Sequence, residues 1–226
     1  MFRLKKNSIS LLTFVLFLAS AACQTSFQST AQTKQPASLF SASTEKPKLS
    51  EIASDEIKKI LASAVEQTNL TKSYDPAYVV ISYPNGDVPI EKGVCTDVVI
   101  RAFRNAGVDL QKAVHEDMAK NFAAYPSKWG LKSPDTNIDH RRVPNLQTFF
   151  TRQGKSVVVT DKPEDYTPGD VVSWDLDGKG LMHIGIVSNI RNEGAKRYLI
   201  IHNIGGGTQA EDKLFDWKIT GHYRYF

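Results

Sequence analysis

The sequence predicts an α+β fold in which N-terminal helices pack on an antiparallel β-sheet. Three observations carry this. Helical apolar spacing is confined to the first half of the folding region. Consecutive β-rich runs fill the second half with no helical pattern between them. Turn residues separate those runs. Hydrophobic residues make up 41% of the 226-residue chain and charged residues 23%, the balance of an ordinary globular protein.

The front end reads as an export signal. Arg3, Lys5 and Lys6 precede an apolar run from Ile9 to Ala19 and the small residues Ala19-Ser20-Ala21-Ala22, which is the layout of a signal peptide over residues 1–22. The run is shorter than the ~20 apolar residues of a membrane span. Small residues before Cys23 resemble a bacterial lipobox, in which the thiol is acylated after cleavage, although Ser20 stands where such boxes carry an aliphatic residue. Cleavage after Ala21 or Ala22 without a lipid is the alternative. Either route predicts an exported protein of the periplasm or cell envelope, the first with a membrane anchor at Cys23.

The net charge of +4 is mostly that of the signal. Without Arg3, Lys5 and Lys6 the chain has 25 basic and 24 acidic residues. A near-neutral chain lacks the concentrated basic surface of a nucleic-acid binder. Residues 23–50, rich in Ser, Thr, Gln, Ala and Lys, read as a tether with too little apolar surface to fold.

The folding region, residues 51–226, opens with a helix: Ile57, Ile60, Leu61, Ala64 and Val65 repeat at helical spacing, with Ser54 placed as N-cap. Tyr78 to Tyr83 predicts a short strand before the turn Pro84-Asn85-Gly86-Asp87. Val98, Val99, Ala102, Phe103 and Ala106 predict an amphipathic helix stopped by Gly107, and Leu146, Phe149 and Phe150 another short helix. Strands are predicted at Val157–Val159, Val171–Trp174, Ile184–Val187 and Tyr198–His202, with an edge strand in Gly221–Phe226.

The chemistry gathers where the two halves meet. Cys95 lies just before a helix, whose start presents unpaired N–H groups and the positive end of the dipole. That position is expected to lower a thiol pKa and to supply oxyanion donors. His183 opens one strand and His202 closes the next, with Asn203 beside it. A nucleophilic thiol needs a base, and the base needs an orienting partner; Cys95, His183 and His202 supply those roles in that order. Asn203 is the alternative third member, since neighbouring strand residues point to opposite faces. Cys95 and the two histidines lack the close ligand pairs of a structural zinc site, so neither metal nor cofactor is expected.

These residues carry a resemblance. Gly93-Val94-Cys95-Thr96-Asp97 before a helix, Pro168-Gly169-Asp170-Val171-Val172, His183-Ile184-Gly185-Ile186-Val187 and Ile201-His202-Asn203 resemble the NlpC-type cell-wall cysteine peptidases of the papain-like superfamily. The resemblance implies a papain-like fold, nucleophile Cys95, base His183, third member His202, and a tyrosine near the oxyanion about a dozen residues upstream, here Tyr83. Val94 and Thr96-Asp97 depart from the Asp-Cys-Ser-Gly usual there. A longer match covers roughly residues 55–226: Tyr83-Pro84-Asn85-Gly86-Asp87-Val88-Pro89, Asp109-Leu110-Gln111, His115-Glu116-Asp117-Met118 and Ile138 to Leu146 resemble the family of the domain of unknown function 1287.

The polar stretch from Asp135 to Asn145 reads either as a solvated loop or as a substrate wall. In the second reading Arg141 and Arg142 grip a carboxylate, with Asp139 and His140 beside them. Trp129 and Trp174 fit a cleft wall or the core. The expected activity is cleavage of an amide bond, in a peptidoglycan stem peptide or another envelope amide. The alternatives are an envelope binding or scaffold lipoprotein without turnover, and an acyltransferase or thioesterase.

Overall fold

A computed structural model describes residues 54–226. The signal, tether and Cys23 readings fall outside the described residues. Among the described residues no helix is long and apolar enough to cross a membrane.

Helix α1 spans Asp55–Leu70, and the Ser54 hydroxyl accepts from the Ile57 N–H, as the N-cap reading requires. A parallel pair of two-residue strands follows, β1 (Ser73–Tyr74) with β2 (Lys92–Gly93). Next come α2 (Cys95–Asn105), α3 (Leu110–Asn121) and α4 (Val143–Arg152). The sheet closes the chain with β3 (Val171–Asp175), β4 (Met182–Asn192), β5 (Arg197–Asn203), β6 (Thr208–Glu211) and β7 (Lys218–Tyr223). It is antiparallel throughout, in the order β6-β5-β4-β3-β7. The α+β class and the packing of the N-terminal helices on one antiparallel sheet are as the sequence predicts.

Strand periodicity divides the sheet into two faces. Ile184, Ile186 and Ile201 meet the helices in the main core with Ile60, Val98, Val99, Phe103 and Phe150. On the opposite face Val172, Trp174, Val187 and Ile200 form a second cluster with Tyr166 and Leu214. His183 shares the parity of Val187, so its ring emerges on this second face.

Besides the unpredicted β1–β2 pair, four elements differ from the prediction. Tyr78–Tyr83 forms no strand: Val80 is 83% exposed, and this stretch leans on the Asp135–Asn137 turn, with Ile81 N–H donating to Asn137 Oδ1 and Tyr78 hydroxyl to Asp135. Val157–Val159 forms none either; only the neighbouring Ser156 bridges to Tyr223, leaving Val158 exposed. Helix α3 appears where no element is predicted: Leu110, Val114 and Met118 bury one narrow stripe and Asp109 caps its start. Strand β6 adds an edge beside β5 just after the glycine turn at 205–207.

Candidate active site

The thiol of Cys95 sits at the first residue of α2 and is only 5% exposed. Two short contacts fix this helix start. Asp97 reaches back to accept from the Val94 N–H at 2.7 Å. The same carboxylate takes a bidentate pair from Arg141 (Nε 2.9 Å, Nη2 3.0 Å). Thr96 hydroxyl donates to the Arg141 carbonyl at 3.1 Å, which ties the turn at Asp139–Arg141 to the helix.

Cys95 opens onto a cavity of about 270 Å³ walled by Tyr74, Lys128, Trp129, Arg142 and Met182 among others. Its described lining includes Lys128, Arg141 and Arg142 and no carboxylate. The Arg142 guanidinium lies 4.2 Å over the Trp129 ring.

The two histidines stand at the start of β4 and the end of β5. His183 Nε2 and His202 Nδ1 are 2.7 Å apart. On the far side of His202, Nε2 lies 3.1 Å from Glu211 Oε2 but off the line of a full hydrogen bond, so this contact is mainly electrostatic. Trp174 and Trp217 wall in the His183 ring at centroid distances of 5.9 and 6.0 Å. Gly185 makes the pairing of the rings geometrically open: a Cβ there would lie 2.7 Å from Ile200 Cγ2 and 3.1 Å from His202 Cβ.

The thiol approaches the start of β4 from the helix face, where the Ile184 backbone N–H points at it, whereas the imidazoles lie on the other face. Ile184 follows His183 directly in β4, so the sulfur and the ring lie on the two sides of one short stretch of this strand. Burial pushes the Cys95 thiol up to about 12, against the pull of the backbone N–H groups of Ile184, Thr96 and Cys95 itself. The lowered thiol pKa expected from the helix start is therefore corrected: desolvation outweighs the dipole. Burial, with the neighbouring His202, holds His183 down at about 3. Thiol and imidazole therefore both rest neutral near pH 7.

Several site readings change. Tyr83 is not at the thiol; its ring packs edge-on against His115 of α3 at 5.2 Å. The tyrosine on the cavity is Tyr74, which stands in register with Gly93, two residues before Cys95. Its hydroxyl is pushed up to about 12 by burial and by the neighbouring Cys95 and Asp97. Asn203 does not face His183: its amide donates to the carbonyls of Ser73 (3.1 Å) and Gly93 (3.0 Å), pinning the β1–β2 pair to the sheet. Arg141 touches the cavity, but Asp97 and the carbonyls of Ala77 and Asp75 occupy its guanidinium. Asp139 and His140 are buried at 1% and 2% exposure, too deep to wall a substrate; burial raises the Asp139 pKa and lowers that of His140 to about 4. Trp174 is fully buried, with its indole N–H on the Leu214 carbonyl. Of the proposed substrate wall, Arg142 keeps its guanidinium on the cavity over Trp129, held by one long 3.4 Å contact to the buried Asp139 carboxylate.

Sequence reasoning missed Tyr74, Asp97 and Glu211. Tyr74 had no local signal, because nothing in the sequence announces that it pairs with Gly93 across residues 75–91. Among the described residues no group of three or more His, Cys, Asp or Glu has the arrangement of a metal centre.

Residues 61–225 match the family model described as Domain of unknown function (DUF1287). The "Uncharacterized protein YijF" of Escherichia coli (strain K12) is 60% identical over 168 residues, 74% of this chain and 80% of its own length. Among solved structures, NlpC1 from Trichomonas vaginalis is similar with a TM-score of 0.42 at 12% identity. That match covers 76% of this chain and 45% of the other, so the chain spans less than half of that protein's length.

Proposed function

We propose that the chain, which belongs to the DUF1287 family, is an exported thiol hydrolase that cleaves amide bonds in carboxylate-bearing peptides, with peptidoglycan stem peptides as the envelope substrate of that chemistry. The observation that carries the reading is Cys95, the one free cysteine among the described residues, at a helix start on a cation-lined cavity and against the backbone N–H of Ile184, the residue next in the chain to His183, whose ring is hydrogen-bonded to His202.

In this reading the substrate carboxylate docks at Arg142 and Lys128, and Tyr74 flanks the scissile carbonyl. The Cys95 sulfur attacks that carbonyl while its proton passes to the neutral His183, so deprotonation accompanies attack instead of preceding it. N–H groups at the start of α2 and the Tyr74 hydroxyl stabilise the oxyanion. His183 then protonates the leaving amine, and water releases the acyl group from the sulfur by the reverse path. The N-terminal signal, with or without a lipid on Cys23, brings the enzyme to its substrate.

One observation favours a second reading. A thiol held at about 12 with 5% exposure suits a binding module of the envelope that has no turnover. One experiment separates the two. Purified protein is incubated with peptidoglycan fragments, and new termini are identified by mass spectrometry. New amine termini from the wild type and none from Cys95→Ala support the hydrolase. Equal binding by both proteins without cleavage refutes it in favour of the binding module.

A further inference from the structure

We propose that Glu211 is a positioning residue: it fixes the tautomers of His202 and His183 so that the nitrogen left to take the thiol proton is Nδ1 of His183. The proposal rests on the reading of Cys95 as nucleophile and His183 as base. Glu211 lies on β6 opposite Ile200 of β5. Side chains two apart on a strand share a face, so Glu211 stands on the same face as His202, and its Oε2 is 3.1 Å from His202 Nε2.

The direction of the chain follows from donor counting. A carboxylate only accepts, and a neutral imidazole carries one N–H and one bare nitrogen. With the His202 proton on Nε2, facing Glu211, its Nδ1 is an acceptor. His183 Nε2, at 2.7 Å, must then be the donor, and its single proton is used. Nδ1 of His183 is left bare and basic. The opposite assignment turns the lone pair of His202 Nε2 toward a carboxylate and places an N–H on His183 Nδ1, where it accepts nothing from a thiol. Burial lowers the pKa of both rings, so each stays neutral near pH 7. Lys213 is the other charged group that acts on His202, and its ammonium is bound to Asp216 at 2.7 Å. Trp217 meets both rings through its edge without a competing acceptor.

The test reads protons, not turnover. The full chain is labelled with ¹⁵N-histidine, and long-range ¹H–¹⁵N correlation spectra assign the tautomer of each of the five histidines, identified by single replacements. The expected wild-type spectrum shows Nε2–H on both His202 and His183. Glu211→Gln, which keeps an acceptor oxygen, retains it. Glu211→Leu gives mixed tautomers and slows the reaction of Cys95 with iodoacetamide by about tenfold, a fraction of what a positioned base contributes. A wild-type spectrum with Nδ1–H on His202 overturns the proposal without any variant, as does an unchanged spectrum of a folded Glu211→Leu protein. The expected tautomers without cleavage of peptidoglycan fragments sustain the positioning role and overturn the hydrolase reading alone.

Discussion

Replacing Asp97 tests how the thiol is held. Its carboxylate and the Arg141 guanidinium are both buried, at 4% and 2% side-chain exposure, and form a bidentate pair. Asp97→Asn removes the anion and leaves the cation in place. Breaking a buried pair by removing one partner costs about 3–5 kcal/mol. The carbonyls of Ala77 and Asp75 still accept from Arg141 at 3.1 and 3.3 Å, which places this case at the lower end, about 3 kcal/mol. Domains of this kind carry roughly 5–15 kcal/mol in total, so the variant should fold with a Tm lowered by about 6–12 °C. Urea unfolding followed by circular dichroism measures the loss, and an unchanged m-value shows that the native state kept its compactness. Arg141→Met completes a double-mutant cycle: with both charges gone, the loss should fall well below the sum of the single losses. A cost of less than about 1 kcal/mol for Asp97→Asn, or strict additivity in the cycle, refutes the claim that this pair anchors the helix start.

Three further outcomes follow from the site. Gly185→Ala should destabilise the fold by about 1–3 kcal/mol and part the two imidazoles, because its methyl meets Ile200 and His202; an unchanged histidine ¹H–¹⁵N spectrum contradicts this. Stability should fall between pH 6.5 and about 4. His183 and His140 have folded pKa values of about 3 and about 4, below the ordinary value near 6.5, so the unfolded chain binds more protons in that window. Urea midpoints at pH 7 and pH 5 check the sign, and His140→Gln should flatten the slope; a higher midpoint at pH 5 is incompatible with it. Alkylation of native Cys95 by iodoacetamide should be slow at pH 7 and still rising with pH above 9, as a thiol near 12 requires. A rate that levels off by pH 8 contradicts the raised value.

The sequence made the outer frame legible because each long element carries its own period. Ser54 and the Ile57–Val65 spacing marked α1, and the runs at Val171 and Ile184 marked the central strands. Tyr78–Tyr83 misled because an apolar, β-branched hexapeptide was read without a partner; Asn137 and Asp135 satisfy parts of it instead of a neighbouring strand. Helix α3 was hidden because so few apolar residues mark its stripe. Within the site, Cys95, His183 and His202 were visible as reactive types at element ends. Tyr74 was not, since its closeness to the thiol comes from a two-residue pairing across the loop at 75–91. Arg141 looked like a free cation because its partner, Asp97, is 44 residues away in the chain. The thiol pKa was misjudged for a related reason: a helix start is a local feature, whereas the degree of burial is set by everything packed around it.

The end of β5 sends two adjacent side chains in opposite directions. His202 meets the His183 ring, and Asn203 holds the Gly93 carbonyl two residues before Cys95. A single peptide thus serves as the common origin from which sulfur and ring are both placed. A slip of this strand by one residue would exchange the two roles and lose both sides of the site together, so fraying at this end of β5 should disable the site as a whole instead of degrading it by degrees.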